Sequence, residues 1–281
     1  MRNTTLLAAL LAATIAAQAQ RVIDGDPSDW VGTPSSTIHA TVVDSAEWIY
    51  TGEAGDQRTF GANAWANFDI TEVRLAATHQ NLYVLVRLAD ITATNEPSLA
   101  LGFDSDRTVL DSNGLGFLGD ASGITYPDAS FNPEYQVQIH NAQNGITWAE
   151  YFHDAGSGFW YSNPGDADTF ISAANNVVEA RLSLASLELT PTSVVGFHMA
   201  SFDNGTTGNP GGQAFNNDDD TTVDYPDADA LDGIGGFPGV SGNAWVRVFG
   251  ANGQYTPTGL APVDLSVLAG PAAVRGWMLY E

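Results

Sequence analysis

An all-β fold, a two-sheet antiparallel β-sandwich of jelly-roll type with long Gly- and Asp-rich loops, is predicted by three features of this 281-residue sequence. Apolar residues recur at every second position, helical spacing is scarce, and the alternating segments are separated by clusters of Gly, Asn, Asp and Pro. The strongest alternation lies at 81–90, where Leu82, Val84, Val86 and Leu88 share one face and Tyr83, Leu85 and Ala89 the other. Apolar on both faces, this segment reads as a central strand buried on two sides. With 73–78 and the polar turn His79-Gln80-Asn81 before it, it makes a hairpin. Further strands are expected at 99–103, 135–140, 146–152, 177–184, 194–202 and 244–249, a spacing that suits a sandwich. In 135–140, Tyr135, Val137 and Ile139 alternate with Gln136, Gln138 and His140, as when one face packs on a core and the other meets solvent or a ligand. Residues 141–145 turn the chain into 146–152 as a second hairpin. Two irregular segments, 104–133 and 203–242, are crowded with Gly and Asp; connections of that length are uncommon unless functional or disordered.

The N-terminus carries Arg2, the apolar run 6–17 and a small-x-small Ala17-Gln18-Ala19 cleavage signature, which together read as a secretory signal over 1–19. The expected organisation is this signal, a β-sandwich over 20–252 and a C-terminal extension over 253–281. No segment reaches the roughly 20 consecutive apolar residues of a membrane helix, so no membrane span is expected. Cysteine is absent, which excludes disulfides and thiolate metal sites and leaves an exported chain to hold together by burial and by ions such as calcium. The 33 acidic residues outnumber the 9 basic ones, all of them Arg, and the formal net charge is −24. Nucleic acid is a poor partner for such a surface. Salt screens the self-repulsion, so the balance reads as the surface of a halophile or as that of an acidic extracellular protein from an ordinary bacterium.

The segment Val22-Ile23-Asp24-Gly25-Asp26-Pro27-Ser28-Asp29-Trp30 resembles the opening of family 9 carbohydrate-binding modules and their DOMON-like relatives, in which an IDG triplet is followed by DW after a short gap. Asp69-Ile70-Thr71-Glu72-Val73, followed by Asn81-Leu82-Tyr83-Val84, is similar to that family's paired strands, and Leu101-Gly102-Phe103-Asp104-Ser105-Asp106 to its strand-ending D-x-D. The resemblance spans roughly 22–249. It implies a two-sheet antiparallel sandwich, polysaccharide or oligosaccharide ligands, and frequent attachment to a glycoside hydrolase or a cell-surface component. The family's aromatic pair that clamps a terminal sugar has no motif match in this sequence. Ala261-Pro262-Val263-Asp264-Leu265-Ser266 resembles the start of a C-terminal module of exported bacterial proteins, which implies a shortened secretion or anchoring module or a truncated reading frame.

Sugar binding needs aromatic rings to stack on apolar sugar faces, with amides and carboxylates for the hydroxyls. The candidates are Trp160 and Tyr161 in the Gly-flanked loop Gly158-Phe159-Trp160-Tyr161, with Trp148 and Trp65. Trp148 shares a face with Ile146 and Phe152 and reads equally as core or as platform; Trp160 reads as ligand-facing or as loop packing. Trp30 is expected to fill the core at a sandwich edge. Asp104, Asp106, Asp111 and Asn113 offer closely spaced oxygens suited to calcium, a solvated acidic turn being the alternative. Asp24 and Asp26 read as ion ligands or as turn starters. The five His, at 39, 79, 140, 153 and 198, lack paired zinc spacing, and His198 reads as a core residue. The Gly-rich 114–119 has neither a feeding strand nor a following helix, so it is a loop and not a dinucleotide site. No G-x-S-x-G elbow or cysteine nucleophile occurs, and carboxylates are too numerous to mark a hydrolase pair.

The leading expectation is therefore non-catalytic, secreted carbohydrate binding linked to extracellular glycan degradation. A haem-binding DOMON-like redox domain is the second reading, weakened because His198 and Met199 are adjacent on a strand and point to opposite faces. A structural or adhesive cell-surface protein is the third.

Overall fold

The computed structural model describes residues 20–55, 69–92, 97–105, 124–125, 134–140, 148–154, 159–162, 167–203, 230–234, 245–247, 254–255 and 263–269. In chain order these form a 3-10 turn at Pro27–Asp29, then β1 (Ala40–Asp44), β2 (Glu47–Thr51), β3 (Ile70–Ala77), β4 (Asn81–Leu88), β5 (Pro97–Asp104) and β6 (Ile124–Thr125). They continue with β7 (Tyr135–His140), β8 (Trp148–Asp154), β9 (Phe159–Ser162), β10 (Asp168–Ser172), β11 (Val177–Ser183) and β12 (Val194–Asp203). Last come β13 (Ala230–Ile234), β14 (Trp245–Arg247), β15 (Gln254–Tyr255), β16 (Val263–Asp264) and the short helix α1 (Leu265–Ala269).

Two large antiparallel sheets carry the fold. The first runs β1-β2-β3-β4-β11-β10; the second runs β13-β12-β5-β7-β8-β9, with β16 also pairing β12; β15-β14-β6 make a small third sheet. All the expected strands are present, and the hairpin at 70–88 is built as β3 and β4, with Leu75 opposite Val84. Its turn is closed by Thr78, whose N–H donates to the Asn81 carbonyl at 2.8 Å.

The alternation of the strands decides what the sheets bury. Leu82, Val84, Val86 and Leu88 of β4, Leu99, Leu101 and Phe103 of β5, and Val195, Phe197 and Met199 of β12 all lie in one inter-sheet core. Trp48 of the first sheet meets Phe197 of the second edge-on at 5.7 Å between ring centroids, so the two sheets face each other directly. Val263, Leu265, Leu268 and Ala269, from the segment expected as an extension, are buried in this same core. The Leu265 N–H donates to the Ser193 carbonyl at 2.9 Å.

The other face of β4 is buried as well, for a different reason. Residues 20–33 cross the outer face of the first sheet as an irregular strap, and Trp30 packs there with Ala76, Tyr83, Leu85 and Val177. Trp30 thus fills a satellite core outside the sandwich rather than the edge of the main one. Asp24 and Asp26 act as turn starters: Asp24 Oδ1 accepts from the Asp26 N–H and Asp26 Oδ1 from the Ser28 N–H. Gly25 adopts φ +77°, and a Cβ there would sit 2.7 Å from Phe170 and Ser172 side-chain atoms, so the strap lies too close to β10 for any other residue.

Candidate functional site

Beneath the strap, two buried carboxylates organise the chain. Glu47 of β2 accepts hydrogen bonds from Arg21 Nη2 at 2.7 Å and Arg74 Nη1 at 2.8 Å, and from the Val31 and Gly32 N–H groups at 2.8 and 3.1 Å. Arg21 also donates to the Asp29 carbonyl and lies 5.1 Å from the Trp30 ring centroid. Glu179 of β11 accepts from the Asp24 and Gly25 N–H groups at 3.1 and 2.7 Å and from Trp30 Nε1 at 3.0 Å. The opening segment that carries the family resemblance is therefore a clip that closes over a buried carboxylate.

Burial pushes the Glu179 carboxyl above its ordinary range, against the pull of its three N–H donors, and burial does the same to Asp69 against the Gly55 N–H. Both groups hold their protons more tightly folded than unfolded. The native state is thus penalised as pH rises from about 4 through each folded pKa, and the penalty levels off above it. The urea midpoint of the wild type is expected to fall over that window, and Glu179→Gln to flatten the fall. A midpoint that climbs equally in both proteins would contradict this assignment.

The second sheet bears the predicted aromatic residues. Tyr135, Val137 and Ile139 of β7 are buried in the inter-sheet core. Residues directly opposite in an antiparallel ladder share a face, so His153, Tyr151 and Ala149 of β8 hold core-side register positions. Trp160, opposite His153, extends that core-side column into β9. The segment expected as a loop around Trp160 is instead this edge strand, in which Trp160 stands opposite His153.

The outer face carries the alternate positions. Gln136, Gln138 and His140 of β7 stand opposite Phe152, Glu150 and Trp148 of β8, and Tyr161 of β9 stands opposite Phe152. Gly102 and Ala100 of β5 stand opposite Gln136 and Gln138, and opposite His198 and Ala200 of β12. Three aromatic positions, two glutamines, a glutamate and His140 thus share one ladder face with the Ala100, Gly102, His198 and Ala200 positions. Met199 is fully buried in the inter-sheet core, and His198 is the neighbouring position of β12, opposite Gly102.

Trp65 lies outside the described residues, as do Asp106, Asp111 and Asn113. Asp104 is buried at the end of β5, and the next residue, Ser105, donates through N–H and Oγ to Glu134 Oε2 at 2.6 and 2.9 Å. Among the described residues no group of three or more His, Asp or Glu is gathered to hold a metal ion, and no helix is long and apolar enough to cross a membrane. Compared with known proteins, the chain matches no protein-family model and no curated protein.

Proposed function

We propose that this chain is a secreted, non-catalytic carbohydrate-binding module of the family 9 type, and that it grips a glycan on the outer face of its second sheet. The observation that carries the reading is the shared register of Trp148, Phe152 and Tyr161 with Gln136, Gln138 and Glu150. Rings supply stacking surface for the C–H faces of sugars, and amides and carboxylates supply the mixed donors and acceptors that hydroxyls require. Gly102 and Ala100 keep the β5 part of the face low, beside the His198 and Ala200 positions of β12, and an extended polysaccharide is the ligand proposed to lie across it. A floor of this kind favours internal chain segments over a chain end.

Calcium belongs to the same proposal, bound by the loop that follows β5 through Asp104, Asp106, Asp111 and Asn113. The donor set is all oxygen, which fits a hard cation, and the Asp104 carboxylate is already drawn into the protein at the strand end. The ion would brace the loop and take no part in chemistry. The acidic surface is that of a protein working in salt, outside the cell, beside enzymes that cut glycans.

The test is retention of the exported chain on insoluble polysaccharides, run with calcium and with chelator. Trp148→Ala and Tyr161→Ala are each expected to weaken binding about tenfold, equivalent to about 1.4 kcal/mol, and chelation to lower the melting temperature. Undiminished retention in the double variant would place the glycan elsewhere, and no retention on any polysaccharide would end the carbohydrate reading. The haem reading is the weaker one, because Met199 is buried in the core and adjacent strand positions such as 198 and 199 do not present two ligands to one iron.

A further inference from the structure

The strap leaves part of the first sheet's outer face open. Where residues 20–23 cross β10 and β11, a cavity of about 560 Å³ remains, bordered by Arg21, Val22, Ile23, Asp168, Thr169 and Arg181. That volume lies within the roughly 300–1,000 Å³ of small-molecule sites. Asp168 and Arg181 stand opposite each other in the β10–β11 ladder, and Arg181 Nη2 meets Asp168 Oδ2 at 2.6 Å. Arg181 Nε is left without a hydrogen-bond partner, although the side chain as a whole is 32% exposed. Arg21 Nε is in the same state, its terminal nitrogens being held by the Asp29 carbonyl and by Glu47. Two of the nine cationic side chains in a chain of net charge −24 therefore border one opening.

We infer that this cleft is a second saccharide site, suited to a neutral, hydroxyl-rich ring. The inference rests on the carbohydrate reading for its ligand class, but it uses none of the residues placed on the second sheet. An anion would satisfy Arg181 but would confront Asp168 across the same opening, and the field of the whole protein repels it. A cation would meet two guanidinium groups. A hydroxyl both donates and accepts, so a vicinal pair accepts from Arg181 and donates to Asp168 at once. Val22 and Ile23 offer apolar surface to the C–H face of the ring. Saccharide sites on opposite outer faces of one sandwich give a module that joins two glycan segments rather than holding one.

The experiment is a nuclear magnetic resonance titration of the isotope-labelled exported chain with D-glucose, D-xylose, D-galactose and D-mannose, and separately with acetate at matched ionic strength. At least one sugar is expected to shift the Val22, Ile23 and Thr169 amides and the Arg181 Nε–H signal saturably. Affinity at those signals is expected to fall at least tenfold in Arg181→Gln and to survive in Trp148→Ala; Asp168→Asn, at an exposed edge-strand position, gives the same reading should Arg181→Gln unfold. The inference is overturned if none of the sugars moves those signals, if only acetate does, or if the shifts persist in the cleft variants. Failure of the second-sheet site is read separately, from polysaccharide retention by Trp148→Ala and Tyr161→Ala.

Discussion

Glu47→Ala will lower the unfolding free energy by about 3–5 kcal/mol, because it takes the buried Arg21 guanidinium's carboxylate partner away and leaves Arg74 with Glu72 alone. Glu47 has no solvent exposure, and Arg21 and Arg74 are each 8% exposed. Four donors converge on its two oxygens, two from arginines and two from the strap backbone. Arg74 also donates to the Trp30 and Gly32 carbonyls, so the same cluster ties the strap to β3 from both sides. Urea unfolding of the wild type and of the variant, each at low and at high sodium chloride, checks the assignment. Salt will raise the stability of both proteins by screening the net charge of −24. The difference between them will stay nearly constant, since buried pairs are screened far less than exposed ones. A difference below about 1 kcal/mol, as for a surface ion pair, would remove Glu47 from its central place.

Trp30→Ala is expected to cost a similar amount, about 3–5 kcal/mol, from the cavity left in the satellite core. The ring is packed among Ala76, Tyr83, Leu85 and Val177, and its Nε1 donates to the buried Glu179 carboxylate. Trp30→Phe separates the two contributions. It keeps most of the packing and removes the donor, for an expected loss of about 1.5–3 kcal/mol, the range of hydrogen bonds to charged groups. In Trp30→Ala, amide hydrogen exchange is expected to quicken across residues 20–33, while the amides of β4, held in the ladders to β3 and β11, stay protected. Equal exchange throughout the sandwich would mean that the strap is part of one cooperative unit rather than a layer laid over it.

The two variants bear directly on the opening motif. Ile23, Gly25 and Trp30 look in sequence like a family signature, and in the fold they perform one task, enclosing Glu179 against the first sheet. Gly25 supplies a backbone that approaches β10 too closely for a side chain. None of these residues faces the second sheet, where the aromatic positions lie, so the motif speaks for the architecture and the ligand reading stands on other residues.

Some strands escaped the sequence for local reasons. The β1–β2 hairpin turns at Ser45 and Ala46, which take φ of 53° and 60° without a glycine or an asparagine to announce them. β2 is buried at Glu47, Trp48, Ile49 and Tyr50 in succession, so no alternation of polar and apolar residues marks it. β9 is a four-residue edge strand beside a glycine, too short for a period to register.

By itself the sequence determined the β class, the central hairpin and which residues of each strand share a face, because a period of two is written into the backbone and needs no partner to be seen. Tertiary structure alone decided which face meets the core and which meets the strap. Nothing in the sequence singles out Glu47 and Glu179, and they become buried anchors only because Arg21, Arg74 and the strap N–H groups arrive from distant positions. The ladder positions of Trp148, opposite His140, and Trp160, opposite His153, are likewise set by the register of β7, β8 and β9. Register depends on long-range hydrogen bonds, and a shift of one residue reverses every side of the strand.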